Sequence, residues 1–170
     1  MTFEEFAVAR LPELLRFAAV LTGDRALADD VVQDVLIRAS ARWADVGAKD
    51  RPDRYVRKMV VNEFLSWRRR SWRVVPSGGG AEVDRRLTPD HAVGHAERDA
   101  LLAELGRLPR RQRAVLTLRY YEGLADAEIA EVLGCRAGTV RGYASRALAT
   151  LRVELAEPSP APELIQEAAE

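Results

Sequence analysis

The sequence is poor in cysteine and histidine and has no long apolar stretch. It holds one cysteine and two histidines in 170 residues. A single cysteine, Cys135, forms no internal disulfide, which is typical of a cytoplasmic protein. The uncharged stretch 17–23 is far shorter than the ~20 residues that cross a bilayer. The opening residues MTFEEF are acidic and unlike a signal peptide. We therefore expect a cytoplasmic chain with no membrane insertion.

The chain also lacks net charge. Its 26 basic and 26 acidic side chains cancel, so the bulk charge gives no argument for a nucleic-acid partner. Their distribution is uneven, however. Residues 51–75 carry eight basic and two acidic side chains, and residues 136–152 carry four arginines and no acid. Each segment is a candidate phosphate-binding surface. A solvated arginine face explains either segment alone equally well.

No arrangement of residues points to catalysis or to a bound metal. His91 and His95 are four apart but lack a glutamate-rich zinc motif. The triple glycine at 78–80 lacks the strand and helix context and the Gly-Lys-Ser/Thr ending of a phosphate-binding loop. Cys135 is interpreted as a small buried residue rather than a redox switch. The sequence thus predicts no enzyme, no metal and no cofactor.

Hydrophobic periodicity predicts helices throughout, and no segment indicates a strand. The predicted fold class is all-α, with two small helical domains joined by a flexible linker, the second with a helix-turn-helix. Glycine, proline and aspartate predict the loop and the linker. The predicted parts are a first domain 1–73 (helices 3–22, 26–43 and 54–73, loop 45–53), a linker 74–97, a second domain 98–155 (helices 98–107, 110–121, 126–133 and 137–153) and a flexible tail 156–170.

Residues 125–152 carry the strongest local pattern. Ala130, Gly134 and Val140 are the fifth, ninth and fifteenth residues from Asp126. Two crossing helices need a small residue where they touch, a turn residue that accepts positive φ, and an apolar anchor on the second helix. This spacing predicts a helix-turn-helix whose outer face carries basic and polar side chains suited to the major groove. A helical hairpin with a polar face remains the alternative.

With this motif, the chain resembles an RNA polymerase sigma factor of the extracytoplasmic-function (group IV) type. ADDVVQDVLIRASARW at 28–43 resembles the region 2 helix that docks on the clamp helices of the polymerase β′ subunit. YVRKMVVNEFLSWRRR at 55–70 resembles the helix that recognises and melts the promoter −10 element. Residues 105–152 resemble region 4, which reads the −35 element.

The resemblance implies binding to core RNA polymerase and promoter DNA, admits an anti-sigma factor as a further partner, and implies no cofactor. It also places capture of a flipped base in the loop 45–51. The resemblance places −10 base recognition on Asn62 and Ser66, and Arg57, Lys58 and Arg69 on the same helix can face outward and hold phosphates. The −35 contacts that it implies are Arg119, Arg136, Thr139, Arg141, Ser145 and Arg146. The candidate polymerase contacts are polar residues outside the apolar stripe of 28–43, namely Asp30, Gln33, Asp34 and Arg38.

Two positions depart from the family pattern. Gly142 stands where the family usually has serine, and Ala125 stands where it has a serine or threonine N-cap. We expect Gly142 to weaken the recognition helix by roughly 0.5–1 kcal/mol against alanine, and Asp126 to replace the missing cap.

Two other classes of function stay open. The first is a stand-alone helix-turn-helix regulator that binds duplex DNA without polymerase. The second is a protein-interaction module with vestigial DNA contacts. The basic helix 54–73 and the helix beginning ADDVVQDV favour the sigma factor, because a regulator needs neither.

Overall fold

The computed structural model describes the backbone of residues 1–71 and 92–156 and the side chains of residues 1–66 and 98–152. Most of these residues are helical and none is in a strand, so the all-α prediction is confirmed. In chain order the helices are α1 (Phe3–Thr22), α2 (Arg25–Ser40), α3 (Trp43–Gly47), α4 (Pro52–Ser71), α5 (Ala92–Arg107), α6 (Arg110–Leu116), α7 (Asp126–Leu133) and α8 (Ala137–Ala156), with a π-helical turn (Thr117–Tyr121) directly after α6.

Polar caps and a glycine define the ends of α1 and the start of α2. The Thr2 hydroxyl accepts from the Glu5 N–H at 3.2 Å, and the Glu5 carboxylate accepts from the Thr2 N–H at 2.8 Å. Gly23 ends α1 with a φ of 70°. Asp24 then caps α2 by accepting from the Leu27 N–H at 2.9 Å. The two helices are therefore joined by a two-residue turn and pack against each other along their lengths.

Helix α3 occupies part of the predicted loop 45–53, and α2 ends three residues before its predicted end. Trp43 at the start of α3 explains the difference. Its ring lies 5.6 Å from the ring of Phe3 and 4.9 Å from that of Phe6, and its Nε1 donates to the Met1 carbonyl at 3.1 Å. These contacts with α1 outweigh the turn-forming composition of the segment.

The predicted linker 74–97 and tail 156–170 fall largely outside the described residues. Helix α5 begins at Ala92, within the stretch expected to be linker. The glycines and prolines of 74–97 had predicted a linker throughout, but the only glycine in the part that is helical is Gly94, and one glycine inside a helix costs only ~1 kcal/mol against alanine.

The predicted helix 110–121 changes its winding after Leu116. In the π-helical turn the N–H of Glu122 donates to the carbonyl of Thr117, five residues back, at 3.2 Å. A π turn inserts one residue without breaking the helix, and hydrophobic periodicity does not reveal it. The π turn places Glu122, the residue that follows it, against α4.

One continuous core joins the two halves of the described chain, here named the N-terminal module (residues 1–71) and the C-terminal module (residues 92–156). Apolar side chains of both modules pack in the same cluster. From the N-terminal module it includes Phe6, Phe17, Val35, Val60 and Phe64, and from the C-terminal module Val115, Leu118, Ile129 and Val140.

Arg113 of α6 is buried where the modules meet, with 6% of its surface exposed. Its guanidinium donates to the carbonyl of Thr22 at the end of α1. It also donates to the carbonyls of Gly106 at 2.7 Å and Leu108 at 2.9 Å, around the end of α5. Burial, aided by the charge of Arg110, lowers the pKa of Arg113 to about 10. Arg113 is thus a buried cation at neutral pH, held by carbonyl oxygens at helix ends, where the dipoles favour positive charge.

Two glycines with similar backbones test the contact between the modules. Gly23 and Gly134 have φ values of 70° and 62°. A Cβ at Gly23 would lie 2.6 Å from the Cα of Gly106, whereas a Cβ at Gly134 would meet nothing within 4 Å. Gly134→Ala should therefore lose only the ~1–2 kcal/mol of a left-handed non-glycine residue. Gly23→Ala should lose clearly more, because α5 must also move. Urea unfolding of both variants measures this; equal losses would contradict the described packing.

Candidate nucleic-acid interface

A cavity of about 490 Å³ opens between α2, α3 and α4. It contains two of the residues predicted to contact the −10 element. Asn62 is exposed at its edge, and Ser66 is half-buried, its hydroxyl donating to the Glu63 carbonyl at 3.0 Å. The cavity therefore presents an amide and a hydroxyl side by side on α4. Its other lining residues include Arg38, Arg42, Val46, Tyr55, Met59 and Glu63.

An ion pair between a buried carboxylate and a partly exposed arginine forms one wall of this cavity. Glu63 is 2% exposed and accepts a hydrogen bond from the Arg38 guanidinium. The Nε of Arg38 also donates to the Asp34 carbonyl at 3.3 Å. Arg38, predicted to contact polymerase, thus lies at the cavity, and its guanidinium is hydrogen-bonded to groups of the N-terminal module.

Sequence reasoning missed Tyr55 and Arg42, both of which line the cavity. Tyr55, Met59, Asn62 and Ser66 recur every three or four residues, so one face of α4 carries all of them. That spacing was available in the sequence for Tyr55. Arg42 had no such signal, because it reaches the cavity through the turn between α2 and α3.

The remaining predicted polymerase contacts lie together on α2. Asp30 and Gln33 are exposed and Asp34 is half-buried. Gln33 borders an apolar groove of about 480 Å³ between α1 and α2. Ile37, at the rim, is 60% exposed. The exposed surface thus combines carboxylates with apolar side chains. The groove is lined mainly by Phe3, Leu11, Leu15, Val32, Leu36 and Ile37.

The other predicted −10 residues of α4 lie in a different environment from Asn62 and Ser66. Arg57 is half-buried, and its guanidinium donates to Glu122 of the C-terminal module and, at 3.3 Å, to Glu13 of α1. Burial alone would lower the pKa of Arg57, but the hydrogen bond and charge of Glu122 and the charge of Glu13 outweigh it, so the pKa is raised. Lys58 is exposed. Arg69 lies in α4, and its side chain is outside the described residues.

A second arginine of α4 pairs across the modules. The Nη2 of Arg54 donates to Oε1 of Glu128 at 2.8 Å. This hydrogen bond raises the pKa of Arg54 and lowers that of Glu128, which also accepts from a backbone N–H. Both side chains of the pair are over 40% exposed.

The helix-turn-helix prediction is confirmed by α7, the turn and α8. Ala130 is 8% exposed and Val140 is fully buried. Gly134 ends α7 in the left-handed conformation. The N–H of Cys135 donates to the Ala130 carbonyl at 3.0 Å, which closes the turn.

The outer face of α8 and the turn before it hold five of the six predicted −35 residues. They form one exposed surface, and the Arg146 guanidinium lies 5.3 Å from the ring centre of Tyr143. A Cβ at Gly142 would lie 3.7 Å from the Arg146 guanidinium, so packing does not require glycine there. The five exposed residues are Arg136, Thr139, Arg141, Ser145 and Arg146.

Arg119, the sixth predicted −35 residue, lies in the π-helical turn and donates to the Asp126 carboxylate. This hydrogen bond raises the pKa of Arg119. Asp126 does not replace the missing N-cap, so that expectation was wrong. Ala125 itself is the cap residue, and the Glu128 carboxylate accepts from its N–H at 3.0 Å. The carboxylate three residues into α7 therefore takes over part of the capping.

The described part of the chain contains no group of three or more His, Cys, Asp or Glu side chains placed to hold a metal. His91 and the side chain of His95 are outside the described residues. None of the described helices is both long enough and apolar enough to cross a membrane.

Comparison with known proteins identifies both halves. Residues 7–74 match the family Sigma-70 region 2, and residues 98–151 match Sigma-70, region 4. An RNA polymerase sigma-E factor of Streptomyces avermitilis is 36% identical over 156 residues, 91% of this chain and 86% of the relative. The ECF RNA polymerase sigma factor SigL of Mycobacterium tuberculosis is 36% identical over 149 residues, 85% of this chain and 83% of the relative.

A solved structure agrees with these sequence matches. The sigma factor RpoE from Bartonella quintana, co-crystallised with the anti-sigma factor NepR, superposes with a TM-score of 0.63. The superposition covers 90% of this chain and 96% of that chain at 25% identity. With two sigma-70 regions in order along the chain and relatives above 30% identity that match over more than four fifths of their length, this protein belongs to the extracytoplasmic-function sigma factors of RNA polymerase.

Proposed function

We propose that this chain binds core RNA polymerase, directs it to specific promoters and helps to melt the −10 element. One observation carries the residue-level proposal: Asn62 and Ser66 share a cavity of about 490 Å³ with aromatic and cationic side chains. A cavity of this size suits a small planar ligand. In a sigma factor that ligand is an unstacked base of the opened strand.

The chemistry of the cavity supports base capture. The Asn62 amide offers a donor and an acceptor to a base edge. Tyr55, 37% exposed, offers a ring for stacking, and the exposed Arg42 offers a cation for the adjoining phosphate. The wall formed by Glu63 and Arg38 fixes the shape of the cavity. A flipped base is recognised in this way, by edge contacts and stacking together.

The C-terminal module is assigned to the −35 element. Two exposed arginines of α8, Arg141 and Arg146, lie in its N-terminal half, the part of a recognition helix that enters the major groove. A stand-alone regulator is not favoured, because region 2 accompanies region 4 in this chain.

Polymerase binding is assigned to α2 and the groove beside it. Asp30 and Gln33 supply polar contacts, and Ile37 supplies an apolar one. The proposed partner at this surface is the pair of clamp helices of the β′ subunit. Since RpoE of Bartonella quintana was solved with an anti-sigma factor, an anti-sigma factor is a second proposed partner of this chain. The role requires no catalysis or cofactor from the chain itself and places it in the cytoplasm with the polymerase.

Two substitutions separate polymerase binding from melting. Asn62→Ala should still bind core polymerase but lower open-complex formation about tenfold or more, because a base-edge contact contributes about 1–3 kcal/mol. Asp30→Arg should weaken assembly with core, whereas the matched control Glu131→Arg, in the other module, should not. The measurements are core pull-down and permanganate reactivity of unpaired thymines on a promoter that the wild type transcribes.

A pre-melted bubble template completes this test. It should restore part of the activity lost by Asn62→Ala and none of that lost by Asp30→Arg. If Asn62→Ala showed the same permanganate reactivity as the wild type, the proposed role of α4 in melting would be wrong. Failure of the wild type to transcribe with core polymerase would overturn the proposed function as a whole.

The −35 assignment predicts unequal effects for two exposed arginines of α8. Arg146→Ala should cost about 1–3 kcal/mol of binding to a −35 duplex and relax its sequence preference. Arg152→Ala, past the proposed reading half of the helix, should change affinity much less. Run-off transcription from promoters with single −35 substitutions measures both. Equal behaviour of the two variants would mean that α8 does not enter the groove by its N-terminal half.

A further inference from the structure

Arg146 of α8 lies in a defined position on an aromatic ring. Its guanidinium carbon is 5.3 Å from the ring centre of Tyr143, three residues earlier in the helix. A cation over the face of an aromatic ring is attracted by the negative potential of that face. Tyr143 is half-buried and packs against the hydrophobic core, so the position of its ring is fixed by the fold. The ring therefore restrains an arginine that is otherwise exposed.

Gly142 leaves room for this arrangement. A Cβ at Gly142 would lie 3.7 Å from Nη2, 3.8 Å from Nη1 and 4.0 Å from Cζ of Arg146. The guanidinium therefore occupies the surface that a side chain at position 142 would cover. A methyl group would make only an ordinary van der Waals contact with it, whereas a longer side chain would compete for the same space. The absence of a side chain at position 142 thus favours the observed position of Arg146.

The direction of the Arg146 side chain brings its donors toward the start of the helix. Arg146 itself is near the middle of α8. Long helical side chains point back toward the N-terminus, over the residues three and four positions earlier. The guanidinium accordingly lies beside Gly142 and Tyr143, one turn nearer the start of α8. Since the N-terminal half of a recognition helix enters the major groove, the donors of Arg146 lie in the half that can reach base edges.

Arg141 provides an internal comparison on the same helix. It is exposed like Arg146, but it makes no contact with an aromatic ring in the described part of the chain. A freely moving arginine loses side-chain entropy when DNA orders it, which weakens binding. Arg146 has already lost part of that freedom on the ring of Tyr143. The two arginines should therefore respond differently when the ring is removed.

We propose that Tyr143 and Gly142 position Arg146 for reading the −35 element, the ring of Tyr143 holding the guanidinium and Gly142 keeping its place free. This proposal rests on the proposed function of α8 as the −35 reading helix. Tyr143 is a positioning residue, because it acts through Arg146. It also determines specificity, because a guanidinium fork held in one direction matches one arrangement of acceptors on a base edge better than a freely rotating fork does.

Two substitutions of Tyr143 test the role of the ring. Tyr143→Leu keeps an apolar side chain against the core but removes the ring, whereas Tyr143→Phe keeps the ring. Core polymerase carrying each full-length variant is compared by competition binding to a promoter that the wild type transcribes, and to copies with single −35 base pairs changed. Tyr143→Leu should bind roughly three- to tenfold more weakly, the effect of ordering one long side chain, and should lose discrimination at the base pair where Arg146→Ala does. Tyr143→Phe should keep most of both.

Double variants assign the effect to Arg146. With Arg146→Ala in place, Tyr143→Leu should weaken binding by less than about twofold, because no guanidinium is left to hold. With Arg141→Ala in place it should keep its full effect, since residues without shared contacts act additively. Gly142→Leu should reproduce the loss of Tyr143→Leu, and the matched control Gly142→Ala should not. Circular dichroism checks that each variant is folded, and Gly142→Leu decides the test if Tyr143→Leu is not.

Each result has a definite meaning. A loss that depends on both the ring and Arg146 supports the proposal. Equal binding by Tyr143→Leu and the wild type, equal losses for Tyr143→Leu and Tyr143→Phe, or a full effect of Tyr143→Leu without Arg146 overturns it. If Arg146→Ala itself loses nothing, the −35 assignment of α8 is wrong and the positioning role with it. A loss in Arg146→Ala without one in Tyr143→Leu counts against the positioning role alone.

Discussion

The packing of the whole molecule depends on one buried cation. The Arg113 guanidinium donates to carbonyls at the end of α1 and around the end of α5, and its Cζ lies 5.4 Å from the ring centre of Phe64 in α4. Hydrogen bonds from a charged donor contribute about 1.5–3 kcal/mol each, and removing the donor leaves buried carbonyl oxygens without partners. Arg113 therefore couples the ends of helices from both modules. Its Nε has no hydrogen-bond partner, so the charge is held without being fully satisfied.

The ion pairs between the modules are more exposed than Arg113. The Arg57–Glu122 pair is half-buried, and the pairs Arg54–Glu128 and Arg25–Asp99 are largely exposed. Exposed pairs can exchange with solvent while the buried contacts of Arg113 keep the modules aligned. A sigma factor must use both modules on a promoter far longer than itself. Polymerase and DNA must therefore offset the free energy that the interface between the modules contributes to the free chain.

Local rules predicted the helix-turn-helix because its geometry depends on single positions. A small residue at Ala130, a left-handed Gly134 and a buried Val140 follow from sequence spacing alone, and the structure has all three. Helix α3 was not predictable, because Trp43 forms it by packing on aromatic rings some forty residues away. Arg113 could not be singled out from the sequence, since a charge count does not show which arginine is buried. Part of the cavity could be predicted. Asn62 and Ser66 followed from the family pattern, whereas the place of Arg42 depends on the turn between α2 and α3 and is not visible in the sequence.

The most direct test of this account is the distance between the modules. Spin labels on cysteines replacing Ala9 of α1 and Ala149 of α8, both exposed, would report it in a Cys135→Ser background by pulsed electron resonance. The account predicts one narrow, short distance for the free chain. It predicts a longer distance once core polymerase and a promoter are bound, since the two modules must then lie on separate promoter elements. A broad distribution in the free chain, or an unchanged distance on the promoter, would contradict it.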